Sequence, residues 1–153
     1  MTTRRDILGR ISARLAPLYG AREARSIALV AVSELSGLSA SALLTDPGAP
    51  LEIAELDDIL SQLAAGRPVQ YVVGRTEFCG RTFAVHEGVL IPRPDTELLC
   101  EAAAARLPLV PGGDAPRVLD LCAGSGCVGL GIARLFPGAQ VTAVELSEEA
   151  LSY

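Results

Sequence analysis

The sequence predicts an α/β protein in which a small helical bundle is followed by a β-hairpin and then by one βαβ unit. Three patterns predict this order: apolar residues recur every three or four positions through residue 65, alternate from Val69, and then form two short runs, 117–121 and 140–144, around a glycine-rich turn. With 153 residues, half of them hydrophobic, the chain is long enough for one domain or two small ones.

Composition argues against several classes of protein. No stretch approaches the roughly 20 apolar residues of a membrane span, and the N-terminus lacks the apolar segment of a signal peptide, so we expect a cytoplasmic protein without membrane contact. The net charge is −5 and the 13 basic residues, all arginine, form no basic run, which argues against direct nucleic-acid binding. The four cysteines form no CxxC pair, which argues against a metal site or disulfide framework.

The first 65 residues carry helical periodicity. Apolar residues step by three or four in three series. The three series are Ile7, Leu8, Ile11, Leu15 and Leu18, then Ala24, Ile27, Ala28, Ala31 and Leu35, and last Ile53, Leu56, Leu60 and Leu63. They predict a small helical bundle, with a turn at 45–50 before the last helix and a stop at 66–68.

Alternation replaces this period after residue 68. Val69, Tyr71 and Val73 alternate, and glycines at 74 and 80 bracket the next apolar residue, which predicts a short antiparallel hairpin. Two prolines and the acids Asp95 and Glu97 then predict the start of a helix. Its buried stripe is predicted to be Leu98, Leu99, Ala102, Ala103 and Leu107. A loop is predicted over 110–116.

The stretch 117–145 predicts one βαβ unit of a parallel sheet. It reads as a strand over 117–121, a turn over 122–126, a helix over about 127–136 and a strand over 140–144. Gly124, Gly126 and Gly129 satisfy G-x-G-x-x-G at the strand-to-helix turn, which favours a nucleotide-type ligand lying across it. Glu145, which ends the second strand, is placed to bind ribose hydroxyls. The alternatives are a tight turn without ligand and a Glu145 that only begins the next helix.

Asp120, directly before the turn, decides between two ligands. A pyrophosphate at the helix N-terminus would meet its carboxylate, whereas S-adenosylmethionine has no phosphate and carries a sulfonium and an ammonium. Asp120 therefore favours the methyl donor over a nicotinamide dinucleotide. Helix capping by Asp120 is the alternative role for this side chain.

With "GRPVQYVVGRTEFCGRTFAVHEGVLIPRPDTELL" running into "VLDLCAGSGCVGL", the chain resembles the peptide chain release factor N(5)-glutamine methyltransferases, the HemK/PrmC family. The most specific feature is "IPRPDTE" at its distance before the glycine turn. The resemblance covers the N-terminal part of that family and the whole of this chain, more loosely over its first 65 residues.

The resemblance implies three parts. These are a helical release-factor-recognition domain over 1–66, a β-hairpin linker over 67–91, and over 92–153 the first βαβ unit of a Rossmann-like class I S-adenosylmethionine-dependent methyltransferase domain, which would be incomplete. The implied activity is methyl transfer from S-adenosylmethionine to the side-chain amide of a glutamine in release factors, in translation termination. An incomplete sheet would leave apolar surface exposed and the C-terminal half loosely ordered.

The resemblance also implies site residues. The turn against the methionine part of the cofactor would be Cys122, Ala123, Gly124, Ser125 and Gly126, with Glu145 binding the ribose. Arg93 and Thr96 lie in the family's "PRPxTE" element beside the cofactor pocket. Cys122 replaces a more common glycine at the first turn position.

The family's substrate-binding Asn-Pro-Pro-Tyr motif has no counterpart here, because the sequence contains no asparagine and no Pro-Pro pair. We therefore expect no catalytic residue in this chain and no activity from it alone. Two alternatives remain: a non-catalytic release-factor-binding fragment and an NAD-binding oxidoreductase fragment.

Overall fold

A computed structural model describes residues 1–109 and 115–152, so most of the loop predicted over 110–116 lies outside the described residues. The chain divides into two compact units, Met1–Val73 and Gly74–Tyr153. Among the described residues, no helix has both the length and the apolar character needed to cross a bilayer. The division into parts at 1–66, 67–91 and 92–153 stays a prediction.

The first unit is the predicted helical bundle. Its helices are α1 (Arg4–Tyr19), α2 (Ala21–Ser36), α3 (Ala40–Thr45), α4 (Leu56–Ala64) and α5 (Val69–Val73). α1 and α2 pack along each other, and α4 packs against α1. The predicted series supply most of the fully buried core, which consists of Ile7, Ile11, Leu15, Ala24, Ala28, Ala31, Val32, Leu43, Ile59, Leu60 and Leu63.

Local signals set the ends of these helices. Thr3 and Asp6 form a capping box at the start of α1, which satisfies two backbone N–H groups that the helix leaves free. Gly37, at a left-handed φ of 70°, ends α2. Ser39 then caps α3, a short helix that the periodicity did not predict and that contributes the buried Leu43 to the core.

The strand expected from Val69, Tyr71 and Val73 is wrong, since these residues form α5. The backbone N–H groups of Tyr71 and Val72 both donate to the carbonyl of Pro68, which begins a helical turn. Val69 and Val72, three residues apart, pack against the helical core. Helical spacing toward that core therefore prevails over the two-residue alternation.

The second unit begins with the predicted hairpin. Strands β1 (Arg75–Phe78) and β2 (Arg81–Ala84) are antiparallel, with Phe78 opposite Arg81. The two residues between them, Cys79 and Gly80, have φ values of 47° and 65°. A two-residue loop with positive φ at both positions matches the right-handed twist of a hairpin.

Helix α6 (Pro94–Arg106) follows, but its predicted buried stripe is wrong in part. Leu98 and Leu99 are 65% and 59% exposed, and Ala102 is exposed as well. Ala103 and Leu107 of the predicted stripe do pack on the core, and Cys100 packs there with them. The carboxylate of Glu97 in α6 accepts a hydrogen bond from the hairpin turn. This bond favours the rotation of the helix that buries Cys100.

The predicted βαβ unit is present. Strand β3 (Arg117–Leu121) and strand β4 (Gln140–Val144) pair in parallel, and helix α7 (Cys127–Leu135) connects them, followed by the short helix α8 (Glu148–Leu151). Val118 faces the core formed with α6, α7 and the hairpin, whereas Leu119 and Leu121 point to the opposite face and are exposed. Exposed apolar surface on the sheet agrees with the expectation from the sequence.

Candidate functional site

The glycine turn joins β3 to α7 at the carboxyl end of the parallel strands. Cys122, Gly124 and Gly126 have positive φ values of 60°, 55° and 72°, so every second residue of the turn is left-handed. The N–H of Ala123 donates to the Val144 carbonyl at 3.1 Å, which holds the turn at the end of β4. Ser125 completes the predicted turn of five residues.

The space above the turn is open. No atom outside the adjacent residues lies within 4 Å of the position that a Cβ would take on Gly124. A left-handed φ of 55° strains any residue with a Cβ, so the backbone conformation itself favours glycine here. The turn can therefore accept a ligand in direct contact with its backbone.

Glu145 lies beside the turn and binds it directly. Its Oε2 accepts a hydrogen bond from the N–H of Gly124 at 2.7 Å, and its Oε1 accepts from the N–H groups of Leu146 and Ser147 at 2.7 and 2.9 Å. These three bonds, with that from Ser147 the strongest influence, lower the pKa of Glu145 below its usual value. Glu145 thus stays ionised and positions the turn.

Part of this arrangement matches the alternative in which Glu145 serves the next helix. Its Oε1 binds the two N–H groups that precede α8, and the Ser147 hydroxyl caps α8 by accepting from the N–H of Ala150 at 3.2 Å. A carboxylate has about four acceptor sites, so Glu145 keeps capacity for a ligand hydroxyl beyond these three bonds. Both functions are compatible with one side chain.

Asp120 is directed at α7 rather than at the open space. Its Oδ2 accepts a hydrogen bond from the N–H of Gly129 at 2.8 Å, which is the geometry of the helix-capping alternative. Its negative charge still lies close to the turn in sequence, with only Leu121 between Asp120 and Cys122. The structure therefore brings Asp120, the turn and Glu145 to one edge of the sheet, with Asp120 hydrogen-bonded to the start of α7.

Two glycines of α7 allow the close packing that this site needs. A Cβ on Gly129 would lie 3.0 Å from both Asp120 Oδ2 and Val141 Cγ1. A Cβ on Gly131 would lie 3.0 Å from the Cys79 sulfur and 3.2 Å from the ring of Phe78. The third glycine of the G-x-G-x-x-G pattern thus serves helix–strand packing, and the role of Gly131, which follows that pattern, was missed.

The "IPRPDTE" element contacts the hairpin through Glu97, a residue whose sequence position predicts only the start of a helix. Glu97 Oε1 accepts a hydrogen bond from the N–H of Cys79 at 2.9 Å, which joins α6 to the hairpin turn. Arg93 occupies the N-cap position of α6, where it is exposed and its side chain forms no capping hydrogen bond. Among the described residues, no hydrogen bond joins the side chain of Arg93 or Thr96 to the glycine turn.

The four cysteines divide into two kinds. Cys79, Cys100 and Cys127 are buried in one apolar cluster, and burial raises the pKa of all three, that of Cys100 to about 12. Their thiols therefore stay protonated and unreactive. Cys122, on the glycine turn, is exposed.

Comparison with known proteins shows which family the chain resembles. Residues 6–74 match the family model described as the PrmC N-terminal domain. The chain is 40% identical over 134 residues to a release factor glutamine methyltransferase of Chlorobaculum tepidum, covering 84% of this chain and 46% of that protein. Proteins of the same name from Bordetella pertussis (45% over 108 residues, 71% of this chain and 39% of that one) and Neisseria gonorrhoeae (47% over 103 residues, 67% and 36%) are also similar.

The chain thus carries a PrmC N-terminal domain. It belongs to the release factor glutamine methyltransferase family, the HemK/PrmC family, and corresponds to its N-terminal part. The alignments with the Chlorobaculum tepidum protein and a second relative cover most of this chain. The chain spans about half the length of those two relatives.

Proposed function

We propose that this chain provides the S-adenosylmethionine-binding turn and the partner-recognition unit for methylation of a glutamine side-chain amide in peptide chain release factors. The observation that carries the proposal is the hydrogen bond from Gly124 to Glu145, which fixes an open glycine turn beside a carboxylate. The relatives, named release factor glutamine methyltransferases, support the choice of reaction and of substrate.

The turn suits the methyl donor chemically. Bound S-adenosylmethionine supplies an electrophilic methyl group on a sulfonium. We assign the backbone of residues 122–126 to contact with its methionine part and Glu145 to its ribose, with Asp120 contributing negative charge near its cationic groups. The parallel strands β3 and β4, with a ligand turn at their carboxyl ends, support a Rossmann-like class I methyltransferase domain.

An amide nitrogen is a poor nucleophile because its lone pair is delocalised into the carbonyl. Transfer to it depends on holding the nitrogen in line with the methyl group and accepting a hydrogen bond from its N–H. In the resembled family this is the role of the Asn-Pro-Pro-Tyr motif, and the sequence contains no asparagine. We therefore propose that these 153 residues bind the cofactor and the release factor without transferring a methyl group. We assign the reaction to the cytoplasm, with no direct contact to nucleic acid.

Methyl incorporation tests this proposal. The chain is incubated with S-adenosylmethionine labelled in its methyl group and a purified bacterial release factor, with the full-length Chlorobaculum tepidum relative as the positive control. We expect label in the release factor with the relative and none with this chain. Label transferred by this chain alone would contradict its assignment as a non-catalytic part.

The second candidate is a protein that binds release factors without any methyl donor. The match of the helical unit to the PrmC N-terminal domain favours it as strongly as it favours the first. The two candidates differ in what they predict for the glycine turn. If the turn binds S-adenosylmethionine, the methyl donor should protect Cys122 from alkylation, whereas a protein that binds only release factors should show no protection. Equal labelling of Cys122 with and without the methyl donor would favour the second candidate.

A further inference from the structure

Helices α1, α2 and α3 of the first unit form an apolar groove with a volume of about 460 Å³. Leu8 and Leu29 line it at half-buried positions, and Leu44 lines it with half of its surface exposed. Leucines that remain partly exposed around one concavity are the surface that an apolar side chain of a partner would cover.

The floor of the groove contains a glycine that the fold does not require. Gly9 lies in the interior of α1, where glycine weakens a helix relative to alanine. Its φ is not positive, and among the described residues no atom outside its chain neighbours and the nearby helix backbone lies within 4 Å of the position that a Cβ would take. No close neighbour and no special backbone conformation therefore demands glycine at this position. Because Gly9 lines the groove, we expect a large side chain there to occupy part of it.

The edge of the groove is positively charged. Arg5 from α1 and Arg25 from α2 line it, and no acidic residue does. Both arginines are exposed, and neither forms an ion pair within the described part of the chain. In a chain of net charge −5, two unpaired guanidinium groups beside an apolar groove favour a partner with carboxylates next to its apolar side chains.

We propose that this groove binds an amphipathic segment of a protein partner, with leucine-sized side chains in the groove over Gly9 and carboxylates paired with Arg5 and Arg25. Only the identity of the partner, the release factor to be methylated, rests on the proposed function. The groove then recognises the substrate protein away from the glutamine that reacts.

The test uses two fluorescein-labelled helical peptides and the intact 153-residue chain. Both peptides carry leucines at positions i, i+4 and i+7, and the leucines are flanked by glutamates in one peptide and by lysines in the other. Fluorescence anisotropy is expected to show that the glutamate peptide binds at least roughly tenfold more tightly. Equal affinity for the two peptides, or no binding of the glutamate peptide, would overturn the proposal.

Variants separate the groove from general charge effects. The double variant Arg5→Glu with Arg25→Glu is expected to prefer the lysine peptide. The matched control Arg14→Glu with Arg22→Glu changes the same charge on exposed positions of the same two helices outside the groove and should keep the glutamate preference. A control that loses the preference equally would show that net charge alone explains binding.

Gly9→Phe fills the groove and is expected to abolish binding of both peptides, whereas Gly9→Ala retains it. Circular dichroism shows whether each variant folds, and if Gly9→Phe does not fold, the arginine variants decide.

Displacement of the glutamate peptide by a purified release factor supports the named partner, and failure to displace it refutes that partner. Since no peptide measurement needs S-adenosylmethionine, failure of the groove and failure of the proposed methyl-donor site are distinguishable.

Discussion

Glu145 is the side chain on which the shape of the glycine turn depends most directly. It accepts backbone N–H bonds from both sides of the β4 end, from Gly124 on the turn and from Leu146 and Ser147 ahead of α8. An ionised carboxylate accepts such bonds more strongly than a protonated one. The turn is therefore held by a charge, and its stability depends on pH.

The pKa of Glu145 is lower in the folded chain than in the unfolded one, so its contribution to stability is fully present above the ordinary glutamate value of about 4.3. The contribution is lost as pH falls through the lowered folded-state pKa. We expect thermal melts of Glu145→Gln and the unsubstituted chain to differ at neutral pH and to converge in acid. Parallel curves at every pH would contradict the assigned role.

Glycine positions give opposite expectations for the same substitution. Gly129→Ala places a methyl group 3.0 Å from Asp120 and Val141, so we expect the free energy of unfolding to fall by about 1–3 kcal/mol. Gly9 lies in the interior of α1, and the methyl group added by Gly9→Ala has no close neighbour. This substitution should raise the free energy of unfolding by up to about 1 kcal/mol. Chemical denaturation measures both. A stable Gly129→Ala would show that α7 does not pack closely on β3 and β4.

Exposure distinguishes one cysteine from the other three. Brief alkylation with iodoacetamide should modify Cys122 and leave Cys79, Cys100 and Cys127 unmodified, because burial raises the pKa of their thiols. S-Adenosylmethionine is expected to slow the reaction at Cys122. Mass spectrometry of tryptic peptides identifies the modified residue, and rapid modification of Cys100 would contradict the described core.

A hydrogen bond between the hairpin turn and α6 joins these two elements. The turn holds Cys79 at a positive φ of 47°, which is uncommon for a residue with a side chain. The bond from its N–H to Glu97 compensates for part of that strain and fixes the rotation of α6 that buries Cys100. The "IPRPDTE" element thus supports the hairpin turn through Glu97.

Glu97→Ala leaves the Cys79 N–H without its acceptor, which we expect to cost about 1–3 kcal/mol of unfolding free energy. Glu97→Gln keeps an acceptor oxygen and should cost clearly less, so the two variants form a matched pair. Urea denaturation followed by circular dichroism measures the difference. Equal stability of the two variants would show that the hydrogen bond contributes little.

An element could be predicted from the sequence where several independent sequence signals indicate the same structure. For β3, α7 and β4, apolar runs, the glycine turn and a Pro-Gly stop agree, and the predicted strand limits match the structure. Val69–Val73 is too short for periodicity to separate a strand from a helical turn. In the alanine-rich α6, apolar residues lie on more than one face, so the predicted stripe is only partly right and the bond between residues 79 and 97 sets the rotation.

The same limit applies to the candidate site. The proximity of Glu145 to the turn could be predicted, because parallel strands end at one edge of a sheet. The partner of Asp120 could not, since it depends on the position of α7 relative to β3.

At the scale of the whole molecule, the two units differ in how completely they cover their apolar residues. The helical unit buries a continuous core, whereas β3 and β4 leave Leu119, Leu121 and Val144 about half exposed or more on one face. Apolar residues at such positions contribute little to stability and promote association.

Replacing Leu119 and Leu121 together by threonine should change the free energy of unfolding by no more than about 0.5 kcal/mol per site and reduce aggregation. Val118→Thr, which puts a hydroxyl into the packed face of the same strand, is the matched control and should destabilise. Light scattering and thermal melts report the two effects. Equal destabilisation by both changes would contradict the described orientation of β3.

We propose above that the turn at 122–126 and Glu145 form a site for S-adenosylmethionine. Isothermal titration calorimetry of the chain with S-adenosylmethionine and with NAD tests it most directly. The account predicts saturable binding of S-adenosylmethionine that Glu145→Ala weakens, and no binding of NAD. Saturable binding of NAD with no response to S-adenosylmethionine would contradict it.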